Sequence, residues 1–205
     1  MSKKICIIGT GGYAKEIYWL ISEIKRDNEV LCFMEPDDLW KEREFMGLPV
    51  RPQSEFDATN NSAVIAIGNS HIREKVTQQL PAETFYETLI SPQAKVTKWV
   101  EIGEGSIVQI NSVLTVDVQV GKHCHLNGFT TVGHDTVIGD FATTTVFVAL
   151  SGECKIGKHS YWGNSSTVRQ GMHICDNVTI GMGAVVAKHI EEPAVYVGIP
   201  AKKIK

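Results

Sequence analysis

Two patterns of hydrophobic and polar positions divide the chain near residue 90. In the first part, short apolar runs alternate with stretches of helical spacing, which predicts strands and helices in turn. The predicted strands cover residues 4–8, 30–34, 63–67 and 85–90, and the predicted helices cover 14–24 and 70–80, with Ser70 as the N-cap of the second helix. This alternation predicts a parallel, Rossmann-like α/β domain at residues 1–88.

From residue 90 onward, the apolar positions recur every six residues. Steps of six from Ile90 to Val186 visit seventeen positions, and fifteen of them are Ile, Val or Leu, where an average composition gives about four or five. A helix cannot keep such a period on one face. The pattern predicts a β-solenoid of about five coils, each with three flat sides of six residues. Inward-facing residues then stack 18 positions apart, as in the column Ile102, Val120, Ile138, Ile156 and Ile174.

Glycine often follows the apolar residue of a hexapeptide. It does so at positions 103, 121, 133, 139, 157, 163 and 181. Glycine tolerates backbone conformations that a residue with a Cβ adopts only with strain. We therefore expect these glycines to occupy the tight corners between the flat sides of the solenoid.

Composition narrows the function classes. Lys and Arg total 20 against 23 Asp and Glu, a net charge of −3, so no basic field points to nucleic acid as a partner. No apolar run reaches the roughly 20 residues of a membrane span, and the N-terminus is typical of a first strand rather than a signal peptide. The five cysteines form no CxxC motif, which predicts reduced thiols in the cytoplasm and neither a disulfide framework nor a structural zinc site.

Four motifs in a fixed order resemble a known family. GTGGYAKE follows the first predicted strand, AIGN ends at residue 69, GHDTVIGDF spans residues 133–141, and VYVGIPAKKIK ends the chain. Together with the hexapeptides, they resemble the NeuD/PglD-type sugar O- or N-acyltransferases over essentially the whole chain. The resemblance implies a nucleotide-sugar-binding domain at residues 1–88, a left-handed β-helix at 89–205, and a homotrimer with active sites between subunits.

The resemblance implies that His134 is the general base and that Asp135 raises its basicity. A neutral imidazole can take the proton that an amine or hydroxyl loses as it attacks a thioester. Because adjacent side chains of a flat strand point to opposite faces, the pair needs a corner, which the preceding Gly133 permits. Gly152 follows His134 by 18 positions and therefore lies one coil away, so its N–H is the predicted donor to the oxyanion.

The resemblance also places the co-substrate, acetyl-CoA. The implied contact residues are Thr143, Gly152, Asn164, Gly181 and Met182. Lys202 and Lys203 either reach the phosphates of coenzyme A or belong to a solvated tail.

No metal is expected. Some β-helix proteins, the γ-type carbonic anhydrases, hold zinc between subunits with three histidines. A stacked set of histidines does not arise here, because the residues 18 positions after His123, His125 and His134 are Phe141, Thr143 and Gly152.

A second set of candidate residues belongs to the N-terminal domain. Residues 9–14 satisfy the pattern G-x-G-x-x-G/A between a strand and a helix, where backbone N–H groups favour a phosphate. In the family, this domain holds the nucleotide-sugar acceptor, which implies as binding residues Gly11, Gly12, Tyr13, Glu35, Asp37, Gly68 and Asn69. Glu35 is placed to accept hydrogen bonds from a ribose. A nicotinamide dinucleotide fits poorly, because ninety residues form only half of the usual dinucleotide sheet.

The implied function is transfer of an acetyl group from acetyl-CoA to the amino group of a nucleotide-linked amino sugar, in the synthesis of a surface polysaccharide or a glycan precursor. Two alternatives stay open. One is O-acetylation of a sugar of the sialic-acid type, and the other is a non-catalytic protein that binds a nucleotide sugar. The sequence identifies neither the sugar nor the nucleotide.

Overall fold

The computed structural model describes residues 3–204, apart from the side chain of residue 28, and the chain divides into two compact units between Leu89 and Ile90. The first unit is a mixed six-stranded sheet with two helices. In chain order its elements are β1 (Lys4–Ile8), α1 (Gly12–Glu23), a 3-10 turn (Asp27–Glu29), β2 (Val30–Glu35), β3 (Glu44–Phe45), β4 (Leu48–Pro52), a 3-10 turn (Gln53–Glu55), β5 (Asn61–Ile65), α2 (Ser70–Gln79) and β6 (Phe85–Tyr86). The strand order is β3-β4-β2-β1-β5-β6.

Apolar residues at helical spacing attach α1 to the sheet. Ala14, Ile17, Leu20 and Ile21 are its buried residues, which places them on one face of the helix. The last four residues of β1 and all of β5 are buried, as expected for central strands of a sheet that is covered on both faces. The predicted alternation of strands and helices is thereby confirmed.

The hairpin β3–β4 is absent from the sequence prediction. Phe45 pairs with Leu48 in antiparallel fashion, and the two-residue loop between them has positive φ at Met46 (53°) and Gly47 (78°). Two consecutive positive φ angles are typical of the tight turn that joins hairpin strands. The prediction of a wholly parallel sheet is therefore wrong at this edge.

Three smaller predictions also need correction. The N-cap of α2 is Asn69, whose side chain accepts a hydrogen bond from the Ile72 N–H at 3.1 Å, so Ser70 is the first helical residue. The predicted strand at 85–90 is two short strands, β6 and a separate strand at Leu89–Ile90. The strand predicted at 63–67 lies two residues earlier, at β5.

The second unit is a parallel β-solenoid with three faces, and this architecture confirms the prediction from the six-residue period. Face one contains Ile107–Val108, His125–Leu126, Thr143–Thr144, Tyr161–Trp162, Thr179–Ile180 and Val195–Val197, and it ends with the antiparallel strand Lys202–Lys203. Face two contains Lys95–Val96, Val113–Leu114, Thr131–Val132, Ala149–Leu150, Thr167–Val168 and Val185–Val186. Face three contains Glu101–Ile102, Gln119–Val120, Val137–Ile138, Lys155–Ile156 and His173–Ile174.

Equivalent residues of successive coils lie side by side, as the period predicts. Val120 pairs with Ile138, Ile138 with Ile156, and Ile156 with Ile174. The apolar positions of the hexapeptides form one buried cluster, and it includes Trp162, which is 0% exposed although it is the largest residue in the repeat position. Ile90, the first residue of the period, lies outside this cluster and is 38% exposed.

Three corners separate the faces. The first corner joins face one to face two and contains residues 127–130, 145–148, 163–166 and 181–184. The second corner joins face two to face three at residues 133–136, 151–154 and 169–172. The third corner joins face three to face one at residues 121–124, 139–142, 157–160 and 175–178.

The explanation predicted for the corner glycines is wrong. The left-handed backbone conformation occurs two residues after them, and residues with a Cβ adopt it, for example Asp135 (φ 57°), Phe141 (60°) and His159 (56°). Gly139 is required for a different reason, because a Cβ there would come within 2.7 Å of the Lys158 nitrogen on the next coil. Close stacking of coils therefore selects the glycine, and strain at the corner does not.

Neither helix in the described part of the chain has the length and apolar character of a membrane span.

Two substitutions distinguish close stacking from corner strain as the reason for the corner glycines. Gly139→Ala should lower the midpoint of thermal unfolding, because overpacking of this kind costs about 1–3 kcal/mol. Asn177→Gly, at an exposed left-handed position, should leave the midpoint unchanged or raise it. Circular dichroism during heating measures both. A midpoint of Gly139→Ala equal to that of the parent protein would contradict this explanation.

Candidate active site and acceptor loop

His134 and Asp135 meet at the second corner of the solenoid. The His134 Nδ1 lies 2.7 Å from Asp135 Oδ2, and both side chains are about half exposed. The bend that brings adjacent side chains together lies at Asp135, whose φ is 57°, rather than at Gly133 as expected. Since a carboxylate only accepts hydrogen bonds, the Nδ1 carries the hydrogen in the neutral ring, and the Nε2 is available to take a proton.

The imidazole of His134 lies against the backbone of the next coil. A Cβ at Gly152 would come within 2.8 Å of the His134 Nε2 and 2.9 Å of its Cε1. A side chain on the residue one coil after His134 would therefore displace the ring from this position. The arrangement brings the basic nitrogen and the Gly152 backbone to one place.

The N–H of Gly152 is open, unlike its counterparts at the third corner. There, Asp140 accepts a hydrogen bond from the Lys122 N–H at 2.9 Å, and Asp176 accepts one from the Lys158 N–H at 2.8 Å. The corresponding residue above Gly152 is Gln170, whose side chain instead donates to Glu153. Among residues 3–204, none accepts a hydrogen bond from the Gly152 N–H.

The candidate acetyl-CoA residues other than Gly152 lie elsewhere on the solenoid. Asn164 and Met182 stack at the first corner, where the Gly183 N–H donates to the Asn164 carbonyl at 2.8 Å, and Met182 is 78% exposed. Thr143 is buried on face one. One chain therefore joins His134, Asp135 and Gly152 at one corner and places Asn164 and Met182 at another.

Gly181 packs within the chain. A Cβ at Gly181 would come within 2.6 Å of the Val197 Cγ1, so the strand Val195–Val197 already occupies the space above it. In the tail, the Lys203 ammonium forms an ion pair with Glu192. This pair holds Lys203 on the solenoid, whereas the prediction left it either at a ligand or in solvent.

The glycine loop of the first unit has an open helix N-terminus. Gly11 caps α1 without a side-chain hydrogen bond, and no acidic residue lies in the first turn. At both Gly11 and Gly12, a Cβ would meet no atom within 4 Å. Tyr13 follows in the first turn of α1 and is partly buried. The backbone N–H groups of the glycine loop and the positive end of the helix dipole make this a place that accommodates an anion.

The Glu35 carboxylate is already engaged. Arg43 donates to its two oxygens at 2.6 and 2.8 Å, and the Thr10 hydroxyl of the glycine loop donates to Oε1. The Arg43 guanidinium lowers the pKa of Glu35 below its ordinary value of 4.5. The structure thus gives Glu35 a connecting role between β2 and the glycine loop, and a ribose at this place would have to share its oxygens.

The remaining acceptor candidates also have internal contacts. Asp37 accepts a hydrogen bond from the Ser54 hydroxyl. The carbonyl of Gly68 accepts one from Arg73 at 2.9 Å, and Arg73 is 0% exposed. The Asn69 side chain caps α2, as described above, so its amide oxygen orients the helix.

Sequence reasoning missed Arg43 and Arg73. Arg43 belongs to an irregular loop in which no periodicity marks it. Arg73 lies three residues before Val76 on the buried face of α2, and a charged residue at an inward-facing position of a helix was a signal that could have found it.

Comparisons with known proteins agree with this architecture. Residues 4–80 match the family described as the PglD N-terminal domain, and residues 154–188 match the hexapeptide repeat of succinyl-transferase. The GDP-perosamine N-acetyltransferase of Escherichia coli O157:H7 is 26% identical over 174 residues, which cover 81% of this chain and 78% of that protein.

Two solved structures cover the full chain. The acetyltransferase domain of PglB from Neisseria gonorrhoeae, in complex with acetyl coenzyme A, is 27% identical, with a TM-score of 0.89 and complete coverage of both chains. A variant of the perosamine N-acetyltransferase from Caulobacter crescentus, in complex with CoA and GDP-perosamine, has a TM-score of 0.92 at 24% identity and shows the shared fold, over 100% of this chain and 98% of that one.

The solenoid and its hexapeptide period define a hexapeptide-repeat acyltransferase. The N-terminal match makes the assignment narrower, since it adds the PglD-type α/β domain to the repeats. The chain therefore combines the PglD-type N-terminal domain with the hexapeptide repeat, and over its full length it is similar to sugar N-acetyltransferases.

The ion pair at Glu35 predicts a pH effect. Because the folded pKa of Glu35 is lowered, its contribution to stability is complete above pH 4.5 and is lost as the pH falls through the lower folded value. Arg43→Met should raise the pKa of Glu35 toward 4.5. A carbon-detected NMR titration of the Glu35 carboxyl group measures this, and an unchanged pKa would show that Arg43 does not hold the carboxylate in solution.

Proposed function

We propose that this chain transfers the acetyl group of acetyl-CoA to the amino group of a nucleotide-linked amino sugar. The observation that carries the proposal is the contact of His134 with Asp135 directly over the open N–H of Gly152. The relatives support the substrate class, since proteins of this architecture are named as N-acetyltransferases of GDP-perosamine or bind acetyl coenzyme A.

The proposed reaction uses three groups of the second corner. The Nε2 of His134 takes a proton from the sugar amine as its nitrogen attacks the thioester carbonyl carbon. Asp135 accepts the hydrogen bond of Nδ1 and stabilises the imidazolium that forms. The Gly152 N–H donates to the carbonyl oxygen as it gains negative charge. The C–S bond then breaks, the thiolate of coenzyme A leaves, and the imidazolium returns the proton to it.

The glycine loop is proposed to hold the diphosphate of the acceptor. Gly11 and Gly12 leave open space at the N-terminus of α1, and Tyr13 lies in the first turn. Gly68 and Asn69, in the loop that Arg73 supports, are proposed to complete the acceptor site. No metal enters this scheme, and its absence stays a prediction that treatment with a chelator tests.

We infer that the working protein is a homotrimer with active sites between subunits. Thr143, Asn164, Gly181 and Met182 are proposed to contact acetyl-CoA, yet the first corner that carries Asn164 and Met182 is not the corner of His134. A neighbouring copy would bring the two together. Phe129, Phe147 and Met182, which are 42, 58 and 78% exposed, give the first corner an apolar surface suited to burial. Light scattering of the purified protein measures the assembled mass.

Replacement of His134 tests the general base. His134→Ala should lower kcat for the best amino-sugar acceptor by about 100- to 10,000-fold, with the affinity for acetyl-CoA retained. His173→Ala is the matched control, since His173 is an exposed histidine of face three. Release of free coenzyme A thiol measures both variants. Turnover of His134→Ala near the parent rate would reject the general base, and turnover on a hydroxyl acceptor alone would favour O-acetylation.

An internal hydrogen-bond acceptor for the Gly152 N–H tests whether this N–H is the oxyanion donor. In Gln170→Asp, a carboxylate stands where Asp140 and Asp176 cap the third corner, so it should accept the Gly152 hydrogen bond. We expect kcat to fall by about 100-fold or more, as when an oxyanion donor is removed, with little change in thermal stability. Gln170→Ala leaves the N–H open and should retain most activity. Equal activities of the two variants would argue against the assignment of Gly152.

A further inference from the structure

The second corner differs from the third in the residue that precedes the exposed N–H. At the third corner, Gly121 precedes Lys122, whose N–H is capped by a carboxylate of the next coil. At the second corner, the residue before Gly152 is Ser151. The chain therefore places a hydroxyl group directly before the candidate oxyanion donor.

The third corner shows how close an oxygen on such an N–H comes to the preceding residue. The Asp140 Oδ1 accepts from the Lys122 N–H at 2.9 Å, and it would lie only 2.5 Å from a Cβ at Gly121. The second capping carboxylate, Asp176, repeats this arrangement, with its Oδ1 2.6 Å from a Cβ at Gly157. An oxygen bound to this N–H therefore lies beside the Cβ position of the residue before it.

Ser151 carries a Cβ at this position. The two corners share one backbone geometry, with φ of 53° at His123 and 58° at Glu153. An oxygen on the Gly152 N–H therefore lies slightly farther out than a capping carboxylate, in contact with the Ser151 side chain. The Ser151 Oγ is one covalent bond from the Cβ and rotates among three staggered positions. Rotation brings this hydroxyl within hydrogen-bonding reach of the same oxygen.

The Ser151 hydroxyl is available for such a contact. Ser151 is partly exposed, and across residues 3–204 its side chain makes no hydrogen bond. Only its carbonyl is engaged, by the Thr136 hydroxyl at 2.9 Å. The His134 Nε2 lies at the same place, 2.8 Å from a Cβ at Gly152. The corner thus brings a proton acceptor, a backbone N–H and a hydroxyl donor together.

We infer that the Ser151 hydroxyl is a second donor to the oxyanion, beside the Gly152 N–H. This role rests on the proposed function, in which the thioester oxygen accepts from Gly152. The hydroxyl donates a hydrogen bond and keeps its proton, so the thiolate of coenzyme A still receives the proton from His134. Ser151 is then a catalytic residue, because its contact with the reacting carbonyl oxygen strengthens as negative charge develops there. The resemblance to known proteins did not suggest it.

Replacement of Ser151 tests the second donor. Ser151→Ala removes the hydroxyl and keeps the Cβ, so kcat should fall by about 100-fold, as when one oxyanion donor is lost. The KM for acetyl-CoA and the midpoint of thermal unfolding should change little, because the hydroxyl has no contact to lose within the described chain. Ser151→Thr retains a hydroxyl on the Cβ and should keep more activity than Ser151→Ala. Ser22→Ala is the control for loss of an exposed serine hydroxyl. Release of free coenzyme A thiol measures all three variants.

Three results would overturn the assignment of Ser151. One is a kcat of Ser151→Ala near the parent value, and another is an equal loss of activity in Ser151→Ala and Ser151→Thr. The third is a raised KM at unchanged kcat, which would mean that the hydroxyl binds the ground state and the transition state equally. Circular dichroism of Ser151→Ala shows whether the chain is folded. An inactive His134→Ala beside a fully active Ser151→Ala would reject the second donor alone and leave the proposed transferase function in place.

Discussion

The hydrogen-bonded ladder between successive coils is the interaction on which the solenoid depends. Each short strand inside the stack pairs with the equivalent strands of the coils before and after it. This register aligns the apolar positions into one continuous buried cluster and brings backbone so close to backbone that glycine is required at positions such as Gly139. The same register sets the candidate active site, since it places Gly152 against the ring of His134. The 18-residue repeat between coils therefore determines both the buried core of the solenoid and the position of the candidate active site.

The three corners share one backbone geometry, but their side chains have different roles. At the third corner, Asp140 and Asp176 cap the N–H groups of the coil below, and the rings of His123, Phe141 and His159 stack with centroids 5.2 Å apart. These contacts provide acceptors for backbone N–H groups and stabilise the stacking of the coils. The second corner lacks the capping aspartate above Gly152 and keeps an exposed imidazole. The first corner carries exposed apolar side chains, which suits a contact with another molecule.

Much of the fold could be predicted from the sequence, because a strong period leaves few alternatives. The column from Ile102 to Ile174 and the partnership of His134 with Gly152 both follow from counting residues. The reason for the corner glycines could not be found this way, since a period does not reveal how close two backbones approach. The contacts of Arg43 with Glu35 depend on an irregular loop, in which distant residues meet without any pattern along the chain. Asn69 and Ser70 are both good caps, and only the hydrogen bond to Ile72 distinguishes them.

The register between coils also limits how this chain can change in length. Loss or gain of one hexapeptide between His134 and Gly152 would move every later residue by one face, so that a different residue would stand over the imidazole. The apolar period itself would survive, and the solenoid would still fold. The scaffold therefore tolerates insertions and deletions in sixes, whereas the chemistry requires that the segment from His134 to Gly152 keep its length of one coil, and evolution of coil number is free only outside that segment.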